Sequence, residues 1–190
     1  YTLMFLLGVV STGYARPHSP ELSGADSEFD LLIKKAKKIV PIATNHDSVS
    51  VLLDRADELA KSSKNHSYAA HVLLVRGQNE YFSSNYEKAI DLYYQALDLT
   101  EQIHDSVLFA TANLNLGMVY NELEDYDESI SYFQKTLKTS EAIKDSALIA
   151  KAYQDIAISY RHKKDVTKAL EYNEKAIQMA QLRKDTAMII

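Results

Sequence analysis

From Phe29 onward the chain alternates apolar and polar residues with a spacing of three and four. Phe29, Leu32, Ile33, Ala36 and Val40 form the first apolar stripe, closed by Pro41. This period marks a helix with one buried face, and proline ends it because the ring cannot continue the hydrogen-bond ladder. A second stripe, Val51, Leu52, Leu53, Ala56, Leu59 and Ala60, predicts a helix over Asp47 to Ser63. Six more helices follow, placed at about Ser67–Phe82, Tyr86–Ile103, Val107–Glu122, Tyr126–Ile143, Ala147–His162 and Val166–Leu182.

The last six are copies of one another. Shifted by forty residues, Leu74, Gly77, Tyr86, Ile90, Leu97, Glu101, Ile103, Asp105, Ser106, Leu108 and Ala110 meet Leu114, Gly117, Tyr126, Ile130, Leu137, Glu141, Ile143, Asp145, Ser146, Leu148 and Ala150. A second shift carries Ala112, Tyr120, Asp125, Tyr132 and Lys135 onto Ala152, Tyr160, Asp165, Tyr172 and Lys175. A fixed period of this size predicts a solenoid, in which each unit covers the apolar face of its neighbour and none folds alone. The fold class is therefore all-α, a right-handed solenoid of antiparallel helix pairs. Short acceptors mark the helix starts: Asn85, Asp125 and Asp165 before each second helix, and Asp105-Ser106, Asp145-Ser146 and Asp185-Thr186 before each following first helix. Their side-chain oxygens can satisfy the free N–H groups of a first turn, and Asp125 with Glu128 has capping-box spacing.

These signals divide the chain. Residues 66–106, 107–146 and 147–186 are three clear units, and 27–65 is a degenerate pair that caps the array, as terminal repeats do. Residues 187–190 read as the start of a further unit, which makes the sequence an excerpt of a longer one. Thr2 to Val10 is an unbroken apolar run followed by small residues at Gly13 and Ala15. It is too short for a bilayer span of about twenty residues and fits the apolar stretch of a signal peptide over 1–15, cleaved after Ala15. Residues 16–26 then form a flexible mature N-terminus. The alternative is a buried N-terminal helix in a cytoplasmic protein.

Composition narrows function by exclusion. The 190 residues are 46% hydrophobic and 25% charged, with a net charge of −5 and no cysteine. Lysines and arginines form no cluster of the kind that neutralises phosphates, so no nucleic-acid contact is expected. Without cysteine there is no disulfide, thiolate metal site or thiol chemistry. Six histidines could suggest a metal, but His104 stands where Lys144 and Lys184 stand, His71 where Thr111 and Lys151 stand, and His162 where Glu122 stands. His46 and His66 fall in predicted loops. No paired histidine at helical spacing and no glycine-rich phosphate loop occurs. The sequence predicts no catalytic residue, no metal and no cofactor. The tyrosines recurring at Tyr86/Tyr126, Tyr120/Tyr160 and Tyr132/Tyr172 are expected between helices, with Tyr81 the exception. Arg76 and Glu80 take the places of Leu116 and Tyr120, which suggests a partly buried ion pair between them.

Leu116-Gly117, Tyr120, Ser129 and Phe133 stand at the spacing of the Leu-Gly, Tyr, Ala and aromatic positions of tetratricopeptide repeats, which this chain resembles. Tyr86-Glu87-Lys88-Ala89-Ile90 is similar to the opening of that family's second helix. The forty-residue period exceeds the family's usual length, Glu141 stands where a proline commonly ends the unit, and Ala157 replaces the glycine. The resemblance implies a superhelix whose first helices line a concave surface for a protein or peptide ligand. By register that surface comprises Leu74, Gln78, Tyr81, Leu114, Met118, Asn121, Lys151, Gln154, Ile158 and Arg161, flanked by His71, Phe82, Thr111, Glu122 and His162. Family members that clamp a terminal carboxylate use Lys and Asn where Leu74, Gln78 and Met118 stand, so that ligand is not expected. An exported array of this kind is similar to the sensory region of bacterial regulators whose membrane segment and output domain follow the repeats. The alternatives are a free-standing periplasmic scaffold and the repeat portion of a larger enzyme. A self-associating C-terminal end is also expected, because the last pair lacks a covering neighbour.

Overall fold

The computed structural model describes residues 24–42 and 46–187. The expected export segment lies outside them, as do residues 188–190. The described residues form eight α-helices and one short 3-10 turn, with no strand among them. The helices are α1 (Gly24–Ile39), α2 (His46–Ser63), α3 (His66–Phe82), α4 (Tyr86–Gln102), α5 (Ser106–Glu122), α6 (Tyr126–Ala142), α7 (Ser146–His162) and α8 (Val166–Ala187). The 3-10 turn, Val40–Ile42, contains Pro41 and ends α1. Each helix packs on the next, and α1, α3, α5 and α7 also touch in succession. The odd-numbered helices therefore form one layer, and the even-numbered ones back it.

Turns of two or three residues create this packing, and their backbone is one motif repeated. Lys64, Ser84, His104, Glu124, Lys144 and Lys164 all hold left-handed backbone, with φ between 52° and 63°. At each turn the left-handed residue's N–H bonds three residues back, and the next N–H bonds five back, as in Lys144 to Glu141 and Asp145 to Ser140. This is the Schellman termination, which usually employs glycine. None of the six is glycine, so nothing in the composition points to the motif. The residue that follows starts the next helix. Asn65, Asp105 and Asp145 each accept two backbone N–H bonds from the new first turn, and Asp125 accepts that of Glu128. Asn85 does not cap α4: its amide donates to Glu80 Oε2 at 2.8 Å.

Glycine matters where rings enter. A Cβ on Gly77 would lie 2.4 Å from the Tyr93 ring, and one on Gly117 2.5 Å from the Phe133 ring. The third unit carries Ala157 at this register, and its facing residue is Asn173 instead of a ring. Small hydroxyls serve the same close approach: Ser129 donates to the Gly117 carbonyl at 2.8 Å and Thr136 to that of Ala110 at 3.2 Å.

Four expectations need correction. Arg76 does not pair with Glu80; it bonds Asp54 on α2 at 2.7 Å, because the capping pair brings a carboxylate nearer than the same-helix neighbour. Helix α1 begins at Gly24, so residues 24–26 of the tail expected over 16–26 are helical, and the rest of it lies outside the described residues; the Tyr68 hydroxyl holds Asp26 at 2.5 Å. His46 opens α2 instead of lying in a loop. The start signal at Asp185-Thr186 is not used: α8 continues to Ala187.

Candidate binding groove

Two cavities adjoin along the odd-numbered helices and share Tyr81 and Met118. The first, about 330 Å³, lies between the start of the array and α3 and α5, and is lined by Lys37, Val40, Pro41, Gln78, Tyr81, Phe82, Tyr93, Asn115 and Met118. The second, about 200 Å³, is bounded by Tyr81, Met118, Asn121, Glu122, Phe133, Lys151, Asp155 and Ile158. Helical spacing makes this possible. Gln78 and Tyr81 on α3, Asn115, Met118 and Glu122 on α5, and Lys151, Asp155 and Ile158 on α7 are three or four apart and share a face.

The polar groups here are held from behind. The Tyr81 hydroxyl donates to Glu122 Oε1 at 3.1 Å, and burial first, then the Glu122 charge, push its pKa well above the tyrosine range. Asn121 Oδ1 lies 3.0 Å from Ser159 Oγ, which in turn lies 3.1 Å from Ser129 Oγ. Lys151 Nζ bonds Asp155 Oδ1 at 2.6 Å, with side chains 45% and 7% exposed. Burial pushes the Asp155 carboxyl up, and Lys151 opposes that shift.

Two buried side-chain atoms have no hydrogen-bond partner in the protein, Asn115 Nδ2 and Asp155 Oδ2; Asn115 lines the first cavity and Asp155 the second. Asn115 and Asp155 are each only 5% exposed. Buried groups of this kind are rare in native proteins, and leaving one unmet costs about 1–3 kcal/mol.

The residues singled out from the sequence divide three ways. Gln78, Tyr81, Met118, Asn121, Lys151 and Ile158 meet in the two cavities. Gln154 and Arg161, with Ile158 again, border a third cavity of about 370 Å³ that also takes Ala157, Val166, Ala169, Leu170 and Asn173. Its α8 positions match Tyr126, Ser129, Ile130 and Phe133 of α6, so it is the end of the stack and not the groove. Leu74 and Leu114 are not surface residues. Leu74 packs with Ala70, Ala89 and Ala112, and Leu114 with Phe133, Ile149 and Ile156. The first helices are rolled so that this register faces the adjacent helices. His71 is likewise covered by α1, edge-on to Phe29. Asn115 and Asp155, one residue further on, occupy the groove instead. Their signal was a polar residue at the register of Val75.

The repeated tyrosines pack between helices, Tyr120 stacking on Tyr132 and Tyr160 on Tyr172. Among the described residues no helix is long and apolar enough to cross a membrane, and no group of three or more His, Asp or Glu side chains could hold a metal ion.

No curated protein matches the chain in sequence. A signal transduction ATPase with numerous domains from Pyrococcus horikoshii, described as having a tetratricopeptide repeat sensor, shares the fold at a TM-score of 0.67 and 22% identity over 89% of this chain. The chain spans only 26% of that protein's length. The tetratricopeptide domain of Arabidopsis FLU matches at a TM-score of 0.58 and 25% identity over 63% of this chain and 98% of its own. The apo form of RapI matches at 0.67 and 17% identity, over 87% of this chain and 60% of its own. The tetratricopeptide repeat model matches residues 108–181. With the pairwise stacking of its helices and the shape it shares with these structures, the chain has the tetratricopeptide repeat fold, and residues 108–181 match that family's repeat.

Proposed function

We propose that this chain is a non-catalytic module that binds a protein or peptide in the groove between α3, α5 and α7. One observation carries the reading: the groove holds two adjoining cavities, each lined by a residue with a buried polar atom that the protein leaves unmet. Among the described residues the other buried side-chain polar atoms find partners, and these two do not. The wider setting we infer is the exported sensory region of a bacterial signalling or transcription-regulatory protein. The sensor named in the Pyrococcus horikoshii protein supports that setting by shape alone. A free-standing periplasmic scaffold is the second version, and the repeat portion of a larger enzyme the third.

The groove is tested by selecting binders from a random peptide library on the full chain and on Met118→Arg, which places a charged chain between the two cavities. Selected peptides that bind both equally would refute the groove. Export is tested separately, by N-terminal sequencing of the chain recovered from a bacterial host. A start at Arg16 is expected, and an intact N-terminus retained in the cytoplasm would remove the exported setting.

A further inference from the structure

We propose that the cavity between Tyr81, Glu122 and Asp155 receives a cationic side chain, arginine or lysine, of the peptide held in the groove; this rests on the groove reading above. At about 200 Å³ it is smaller than the roughly 300–1,000 Å³ of small-molecule sites, so it suits one side-chain tip. Its charged lining is Glu122, Asp155 and Lys151, a surplus of one negative charge. Lys151 occupies Asp155 Oδ1, which leaves Oδ2 as an unmet acceptor in a buried place. Tyr81 occupies one Glu122 oxygen, and Tyr81, Glu122 and Asp155 line the same cavity. A guanidinium can donate to both carboxylates at once, which no neutral side chain matches.

The adjoining cavity has the opposite polarity and gives the ligand a direction. There the unmet atom is a donor, Nδ2 of Asn115, in a cavity also lined by Val40, Pro41, Tyr93 and Lys37. A peptide carbonyl and an apolar side chain satisfy that place, while the neighbouring basic side chain enters the acidic one. A ligand with the charges reversed would put a carboxylate against Glu122 and Asp155, and like charges in such surroundings repel.

The test uses the full chain and fluorescent heptapeptide pools blocked at both ends. Six positions are randomised over uncharged residues and the seventh is fixed in turn as arginine, lysine, citrulline, norleucine or glutamate. At one position the arginine pool is expected to bind about tenfold more tightly than the citrulline pool, the difference expected for a charge-assisted pair. In Asp155→Asn that advantage falls to about twofold or less. The variant should fold, since asparagine occupies the equivalent place at Asn115, and its thermal midpoint verifies this; Glu122→Gln serves as the second variant. Arginine and citrulline pools that bind alike everywhere, yet weaken on Met118→Arg, would overturn this inference and leave the groove standing. So would an arginine preference that survives both carboxylate changes. Pools that do not bind at all, or that bind Met118→Arg as well as the wild type, would overturn the groove and this inference together.

Discussion

Lys144 sits at φ 57° with a full side chain, in a conformation that glycine adopts without strain. A left-handed non-glycine residue costs about 1–2 kcal/mol, part of which the loss of unfolded-state freedom would offset. Lys144→Gly is accordingly expected to stabilise the chain by roughly 0.5–1 kcal/mol in urea unfolding; an unchanged midpoint would mean that the lysine makes compensating contacts. Gly117→Ala has the opposite sign, because the new methyl meets the Phe133 ring. Overpacking of this kind costs about 1–3 kcal/mol. Shrinking the ring with Phe133→Leu should recover part of that loss, a coupling that a double-mutant cycle measures directly. Asp155 gives a pH prediction. Its folded pKa lies above its unfolded one, so the folded state binds more protons, and stability falls as pH rises between the two values. Asp155→Asn removes that slope. It should be more stable than the wild type at pH 7, with the difference vanishing as pH drops below the ordinary carboxylate range; a constant difference at all pH values would contradict the assignment.

Among the helices, α5 and α8 are the extremes. Helix α5 buries nine residues, including Leu116 and Val119, because it lies between α3, α4, α6 and α7. Helix α8 packs on α7, and from Val166 to Leu182 every residue is half-buried or exposed. In arrays of this kind stability is a sum over neighbours, and local opening follows the burial. Amide exchange should therefore be slowest in α5 and fastest in α8. Equal protection across all helices would show a single cooperative unit instead. At the other end, α1 and the 3-10 turn fold against α3 and form part of the groove wall. Helix α1 and its 3-10 turn are thus part of the candidate binding surface.

At the scale of the stack, that gradient leaves an apolar edge exposed among the described residues. Val166, Leu170 and Ile177 are 65%, 59% and 49% exposed, whereas Ile130 and Leu137, at the register of Leu170 and Ile177 in α6, are buried. An apolar helix face of this kind favours association. Sedimentation of the described chain should show a larger species growing with concentration, and Leu170→Glu should reduce it. A monomer at all concentrations would mean that the edge is too polar or too mobile to pair.

Much of the fold was legible because it depends on local periods. Three- and four-residue spacing determined the helices, the forty-residue recurrence their stacking, and the Asn and Asp signals most of their starts. Those effects act within a few residues and are written where they act. The Schellman turns were hidden because lysine, histidine, serine and glutamate do not advertise left-handed backbone. The groove was half legible. Gln78, Tyr81, Met118, Asn121, Lys151 and Ile158 follow from register, but Leu74 and Leu114 turn inward and Asn115 and Asp155 take the place expected for them. That depends on the roll of each first helix about its own axis, which no single helix determines. The rings of Tyr93 and Phe133 pressing against Gly77 and Gly117 set it, together with α1 lying across α3. The sequence by itself determined which helices form and how they pair; only the packing of one pair on the next decided which polar atoms were left facing the groove without a partner.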